Sequence, residues 1–535
     1  MDGKITATVG MPLTRIRARP FLLLSLICAA AVLVIVASRF FGSAGTDVYP
    51  IGDGALIEIY TRHAAHGMRA LGPYSQFGWH HPGPSYFYLL APLYALSGEK
   101  TIALHAGAFV INCLSVATIV FVLIRYAAPT VAGLGIGALG AYVFRLAPLL
   151  TSYWNPHIVV LPAAAFFALC AALASGRIGA LPAIALVGTF LTQTHVSLAP
   201  YVFVLATGAL IASSLSGHLR RGAAVWSLLV LVLLWVLPLV EQFTHTPGNV
   251  TRLTRFFGQA ADGQPLSTTL VVWGDTINAL FRSPLEIPAG WPLTIATEPV
   301  HLPTVAAIAQ LVLLCVMAWD AMRRQDRFDA SLCVAGVLSS LIALWSITRI
   351  RSLVGDYMIF WLSAVGALNW AAIAGLAFVR LVDEQRRTSL QWTALAASVV
   401  VVTGCVYLGV DQLDRTRRDG LKRPRDRARA VKLLTETVLD DIQRRGVRRP
   451  LFQLRTSDWG EAAGLLLQVY KRGAAPAVDA SLVSLFGEPF APTGQEDRIF
   501  VIADPSTHAE LVRQPGDEVV AEVDGIYIHA LPHRR

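Results

Sequence analysis

"TDVYPIGDGALIEIYTRHAAHGMRALGPYSQFGWHHPGPSYFYLLAPLYALSG", residues 46–98, is the stretch on which the reading of this chain turns. It directly follows an apolar run at 20–38. It carries Asp47, Asp53 and Glu58, then His63 and His66, then Tyr74, His80 and His81. Residues 53–69 read as a short helix opened by Gly52-Asp53-Gly54. Residues 84–97 are apolar but too short to cross a bilayer, which takes about 20 residues, so they are expected to lie along the interface. The segment is a polar platform that holds acids against a lipid surface.

Composition sets the surroundings of that platform. Of 535 residues, 54% are hydrophobic and 15% are charged, where soluble domains carry about 25% charged residues. The mean hydropathy is +0.55. A water-soluble globule has no place for that much apolar surface, so the fold class is a polytopic α-helical membrane protein. Disordered, collagen-like and disulfide-scaffold chains are excluded at the same step. The net charge of +9 is concentrated in arginines flanking apolar runs, which speaks for membrane topology and against a nucleic-acid partner. Cys28, Cys113, Cys170, Cys315, Cys333 and Cys405 all lie inside apolar stretches and say nothing about redox compartment.

About eleven spans are expected, near 20–38, 103–124, 130–149, 158–174, 178–194, 197–214, 223–240, 303–321, 330–348, 355–379 and 389–410. Lys4, Arg15, Arg17 and Arg19 precede the first, which reads as an uncleaved signal anchor with a cytoplasmic N-terminus. Alternate threading then puts Arg125, Arg177, Arg220, Arg221, Arg323, Arg324, Arg327, Arg380, Arg386 and Arg387 inside. The short outer connections keep only Arg349 and Arg351. The expected location is therefore the plasma (inner) membrane, with loops of about 46–102 and 241–302 and the C-terminal 415–535 outside.

Two domains follow: 1–414 in the membrane and 415–535 as a small soluble α/β unit outside it. In the second, 425–445 reads as a helix and Leu451–Arg455 as a strand. Asp458 and Glu461 resemble a capping box, and Arg498–Ala503 reads as a further strand. Val519–Val523 and Ile526–Ala530 read as a hairpin turned at Asp524-Gly525. The basic stretch Arg415–Lys432 suits anionic headgroups.

A first span running into a large outer loop opened by an acid, two juxtamembrane helices, many further spans and a soluble outer domain together resemble the integral-membrane C-type (GT-C) glycosyltransferases. That superfamily includes protein O-mannosyltransferases, the lipid A aminoarabinose transferase and mycobacterial arabinofuranosyltransferases. The "GD-x-A…E" start and the "GPYSQFGWHHPGPSYFYLLAPLYALSG" stretch are similar to the corresponding loop of bacterial family-39-like members. This chain departs from their usual Asp-Glu pair: Gly54 follows Asp53, and the next acid is Glu58.

The resemblance implies transfer of a sugar from a polyprenyl-phosphate donor to an extracytoplasmic glycan, lipid or protein, with membrane lipids as further partners. An attacking hydroxyl must lose its proton, which suits a carboxylate near the lipid interface. Asp53 is the expected catalytic base, with an N-cap role as the plainer alternative. Glu58 would assist it, or else pair with Arg62 at i,i+4, and Asp47 is the next acid in line. The departing lipid phosphate needs cations. Arg349 and Arg351 break the positive-inside trend and are the expected phosphate ligands, with Arg145 a second candidate and Asp356 and Tyr357 as their partners. Snorkelling is the plainer account of these arginines. Tyr74, His80, His81, Asn155, His157 and His195, with Tyr153 and Trp154, supply aromatic and polar surface for sugar rings, or merely an interface belt.

No P-loop or dinucleotide fingerprint is present, so no cofactor is expected. A divalent metal at the acids stays open, while His63-x-x-His66 with His80 and His81 does not make a zinc set. A lipid-linked sugar transporter or flippase is disfavoured because no inverted repeat is visible. A polysaccharide polymerase or ligase is kept open by Arg252, Arg255 and Arg282 in a late loop. Asn249-Val250-Thr251 matches a glycosylation sequon.

Overall fold

The computed structural model describes residues 48–215, 221–259, 262–282, 301–351, 353–381, 422–456, 459–514 and 516–531, with a few positions between 27 and 38. Most of the expected first span, Asp47, the run at 389–410, Asp458 and the start of the Arg415–Lys432 stretch lie outside the described residues.

The first loop folds as α1 (Gly52–Ala65), a small hairpin of β1 (Tyr74–Ser75) and β2 (Trp79–His80), and α2 (Ser85–Leu96). Gly52 sits at φ 54°, a left-handed conformation that glycine adopts without a Cβ penalty. That residue turns the chain into α1, whose N-cap Ile51 offers no side-chain acceptor. At 12 residues α2 is about 18 Å long, and it turns Leu89, Leu93 and Leu96 outward, as expected of an interfacial helix.

The membrane part comprises α3 (Ile102–Tyr126), α4 (Pro129–Arg145), α5 (Asn155–Ile158), α6 (Val160–Ala174), α7 (Leu181–Thr194), α8 (Ala199–Leu215) and α9 (Arg221–Thr244). After a loop bearing α10 (Asn249–Gly258) and α11 (Leu266–Ile277) come α12 (Leu302–Arg323), α13 (Arg327–Thr348) and α14 (Trp361–Leu381). Among the described residues, seven helices are long and apolar enough to cross a membrane: Ile102–Tyr126, Asn155–Ala174, Val196–Leu215, Arg221–Thr244, Leu302–Arg323, Arg327–Thr348 and Trp361–Arg380. Two of the expected spans come out shorter. The run at 130–149 ends its helix at Arg145 and breaks into a 3-10 turn around Pro148. The run at 178–194 starts as a 3-10 turn.

The alanine-rich α6 is the centre of the bundle, buried along nearly its whole length and packed by α3, α7, α8, α13 and α14. Small side chains let so many helices approach one another. By contrast α9 turns Trp226, Leu229, Val232, Leu233 and Val236 outward, an apolar face suited to lipid.

The chain alternates between two ends of this bundle. Arg125 and Arg177 both lie over the Tyr126 ring, which also meets Phe328 at the start of α13. Asp320 pairs with Arg380 at 2.6 Å at the ends of α12 and α14. At the opposite end gather the first loop, the 146–154 connection, His195 and the 349–358 turn. Arg125, Arg177 and Arg380, three of the arginines expected inside, thus stand at the end away from these loops, while Arg220, Arg386 and Arg387 lie outside the described residues.

The C-terminal unit stands against the loop end. It holds α15 (Lys422–Arg445), β3 (Pro450–Arg455), α16 (Trp459–Lys471), β4 (Ala477–Val478), α17 (Val483–Phe486), β5 (Arg498–Ala503), α18 (Pro505–Leu511), β6 (Glu518–Val523) and β7 (Ile526–Leu531). The sheet order is β4-β3-β5-β7-β6, parallel in β4-β3-β5 and antiparallel in β5-β7-β6. Asp524 and Gly525 turn the final hairpin at φ 52° and 80°, the backbone that a two-residue hairpin with matching twist demands.

Candidate functional site

Asp53 lies in the first turn of α1, where the helix dipole favours a carboxylate. Its Oδ2 accepts a hydrogen bond from Trp154 Nε1 at 2.8 Å. The side chain is open to solvent, yet protein crowds it on several sides. That crowding raises its pKa above the ordinary 3.8, and the Trp154 bond partly offsets the rise. Tyr357 completes the wall: its ring lies 5.3 Å from Trp154, and burial, then the charges of Asp53 and Asp356, raise its pKa. Tyr357 therefore stands beside Trp154 near the acid. His157 packs edge-on against Trp154 at 4.8 Å and shares a 2.8 Å hydrogen bond with Ser152.

A second group adjoins through the same turn. His81 and His195 stack at 4.8 Å, and the Val196 amide donates to His81 Nδ1 at 3.0 Å. His195 bonds Ser197 Oγ at 2.6 Å, and Ser197 Oγ reaches the Met358 carbonyl next to Tyr357. Asn155 Nδ2 donates to the Thr194 carbonyl at 3.4 Å. Burial holds His195 at about 4 and His81 well below the ordinary histidine value, so both rings are neutral hydrogen-bonding groups near pH 7. His157 thus packs on the indole that bonds Asp53, and the neighbouring Asn155 links this connection to the Thr194–Val196 turn on which His81 and His195 stack.

Other residues expected at the site are engaged elsewhere. Glu58 is fully buried. Tyr94 Oη donates to its Oε1 at 3.0 Å and Thr101 Oγ1 to its Oε2 at 2.8 Å. Lys471 of α16 reaches Oε1 at 2.5 Å. Five positions along α1, Glu58 points about 140° away from Asp53. Its expected pairing with Arg62 does not form, because Arg62 bonds Glu99 at 3.1 Å and stacks on Tyr470 at 4.2 Å.

His80 is a strut to the C-terminal unit. Arg69 donates to its Nδ1 at 3.2 Å, and its Nε2 faces the Ser484 carbonyl at 3.1 Å. Only the neutral Nε2–H tautomer satisfies both partners, in keeping with a pKa pushed down to about 3 by burial and by Arg69. Tyr74 packs edge-on against His80 at 5.5 Å. Arg145 donates from both terminal nitrogens to the carbonyls of Leu280 and Arg282, the latter at 2.6 Å. It therefore caps the turn after α11.

Arg349 caps the end of α13 and is exposed. Arg351 lies over the Phe256 ring at 4.6 Å and donates to the Gln259 carbonyl at 2.5 Å. Arg351 and Tyr357 are six positions apart in the chain, a reach of at most about 20 Å.

The histidines do not converge. His63 lies between Tyr470 and Phe490, and His66 is exposed and bonds the Arg62 carbonyl. Among the described residues no three histidine, cysteine, aspartate or glutamate side chains come together to hold a metal ion. The sequon asparagine is 3% exposed and exchanges backbone hydrogen bonds with His80, so it is closed to glycosylation in the folded protein.

Two residues escaped the sequence reading. Arg69 is buried and stacked 3.7 Å over the Tyr60 ring, and its guanidinium donates to the Leu71 and Gly72 carbonyls. A lone arginine in an aromatic loop was the available signal. Lys471 meets Glu58 across 413 positions, and no local pattern marks such a pair.

No family model and no curated protein sequence matches the chain. Two solved structures share its fold. The crystal structure of ArnT from Cupriavidus metallidurans bound to undecaprenyl phosphate superposes with a TM-score of 0.58 and 15% identity, covering 96% of this chain and 98% of that one. The apo form gives 0.56 and 14% over the same shares. Over nearly its whole length the chain therefore shares the fold of these two structures, a multipass helical membrane domain followed by a small sheet unit.

Proposed function

We propose that this chain is a membrane glycosyltransferase that moves a sugar from a polyprenyl-phosphate donor to a hydroxyl of an extracytoplasmic glycan, lipid or protein, with Asp53 as general base. The observation that carries this reading is the Asp53 carboxylate at the start of α1. It is open to solvent, oriented by Trp154 and raised in pKa, within a fold shared with a protein crystallised with undecaprenyl phosphate. A raised pKa makes this carboxylate a better proton acceptor than an ordinary aspartate.

In the reaction the acceptor hydroxyl gives its proton to Asp53 as its oxygen attacks the anomeric carbon. The bond from that carbon to the phosphate oxygen breaks, its electron pair leaves with the lipid phosphate, and the anomeric configuration inverts. Arg349 and Arg351 would take up the charge gained by the phosphate. Neutral His81 and His195, with Asn155, His157 and Tyr357, would line the sugar cavity. The protein would lie in the inner membrane with this face outward.

The test is transfer of radiolabelled sugar from a panel of polyprenyl-phosphate monosaccharides by the purified protein beside Asp53→Asn. Label moved by wild type and lost in Asp53→Asn, with donor binding retained, is the expected result. Equal activity in the variant would remove Asp53 from the role. No donor bound or consumed would remove the glycosyltransferase reading.

A further inference from the structure

The C-terminal unit touches the first loop at the helix that carries Asp53. Helices α16 and α1 run side by side in the same sense. At their starts, a Cβ built on Gly460 would stand 3.5 Å from the Gly52 amide nitrogen, and one on Gly464 would stand 2.7 Å from the Pro50 carbonyl oxygen. At their ends, Lys471 meets the buried Glu58 at 2.5 Å, and the Tyr470 carbonyl accepts from Arg62 at 2.9 Å. Gly460, Gly464 and Lys471 fall within about 40° of one another around α16, so one stripe makes all three contacts. On the next segment, the Leu485 carbonyl accepts from Tyr60 Oη, and the Ser484 carbonyl faces His80 Nε2.

The helix so held does little to fix its own start. Its N-cap Ile51 makes no side-chain bond, and Gly52 and Gly54 flank Asp53. Asp53 reaches its partner Trp154, from the connection after α4, only while this end of α1 is held in place. Glu58 gathers the contacts of four elements: Tyr94 on α2, Thr101 ahead of α3, Lys471 on α16 and its own helix.

We infer that α16 is the seat that positions Asp53, with Lys471 acting through Glu58 as a positioning residue and Gly464 as the point of closest approach. The C-terminal unit is then part of the catalytic geometry, and Glu58 serves as its anchor and not as a second acid at the reacting centre. The catalytic half of this inference rests on the function proposed above.

The experiment uses the full chain in nanodiscs. Gly464→Ala forces α16 off Pro50 without changing charge, Lys471→Met breaks the anchor, and Lys471→Arg restores a cation. Gly460→Ala is the control, because its methyl meets only ordinary contact distance. Hydrogen exchange at residues 54–62 is expected to speed up about tenfold in Gly464→Ala and Lys471→Met, and to stay at the wild-type rate in Gly460→Ala and Lys471→Arg. Displacing a reacting group by an ångström costs about a hundredfold in rate, so kcat is expected to fall about ten- to a hundredfold in the first two variants. The acid limb of their pH profile is expected to move upward as the Trp154 bond lengthens; mere loss of folded protein lowers the amplitude and leaves the limb in place. Unchanged exchange in a folded Gly464→Ala overturns the inference, and so does a fall in kcat with an unmoved limb. Should Lys471→Met fail to fold, Gly464→Ala and Lys471→Arg decide. If wild type transfers no sugar while the exchange pattern is as expected, the role of Asp53 falls and the seat stands.

Discussion

Trp154→Phe removes the hydrogen bond that the Trp154 indole makes to the candidate base. The indole donates to Asp53 Oδ2 at 2.8 Å and lowers a pKa that burial raises. Phenylalanine keeps a ring beside His157 and Tyr357 but offers no donor. A hydrogen bond to a charged group contributes about 1.5–3 kcal/mol when dry. Asp53 is open to solvent, so about 1–1.5 kcal/mol is the appropriate range once screening is counted. At 1.36 kcal/mol per pH unit this is a rise of about one unit.

The ionised form is the active one, so the rate is lost as pH falls through the pKa of Asp53, and removing the donor moves that loss to higher pH. The assay is kcat/KM for sugar transfer from pH 4.5 to 8, which reports the free enzyme. The donor is a phosphodiester and does not titrate in this range. Trp154→Phe is expected to shift the acid limb up by about one unit while keeping the plateau near its wild-type height. A limb that stays within about 0.3 units, or moves down, would refute the reasoning, since the bond energy and the pKa are two expressions of one interaction.

The remaining expectations follow from single contacts. Burial holds His63 and His80 at about 3 and His195 at about 4, against about 6.5 in an unfolded chain. The stability these neutral rings support is complete above pH 6.5 and is lost progressively from there down towards pH 3–4. At pH 5 the three together cost up to about 6 kcal/mol, and a flat apparent Tm between pH 7.5 and 5 would contradict this. Arg145→Ala removes two caps on the Leu280 and Arg282 carbonyls and should lower stability by about 2 kcal/mol, with little change in donor KM. A tenfold rise in KM at constant Tm would instead make Arg145 a phosphate ligand. Asn249→Ala breaks the paired bonds to the His80 backbone, and a loss of about 2–3 kcal/mol is expected. In a glycosylating host, mass spectrometry should find the wild-type Asn249 unmodified.

Much of the fold was legible because its signals are local. Apolar runs longer than a bilayer is thick leave few alternatives to a helix, and the arginines at their ends separate cleanly in space, Arg125 and Arg177 meeting over one tyrosine far from the loop. The short apolar helix α2, the strand Arg498–Ala503 and the Asp524-Gly525 hairpin came out where length, periodicity and turn chemistry put them. The short forms of α4 and α7 were not legible. Pro148 and the 3-10 turn at 178–180 cut helices inside stretches that remain apolar throughout, and hydropathy does not register backbone geometry.

The site divides along the same line. The sequence by itself determined which residue types stand at the loop end: an acid at a helix start, aromatics and histidines at span ends, and two arginines on a short turn. Only the tertiary structure decided which of them meet. Asp53 finds Trp154 and Tyr357, and His81 finds His195, whereas Glu58, His80 and Arg145 are consumed in holding elements together. The physical reason is burial. A carboxylate sealed from water must be fully paired, so Glu58 took its partners from α2, Thr101 and a lysine 413 positions away. The solvent-facing Asp53 is under no such demand and, among the described residues, takes a single side-chain donor, Trp154.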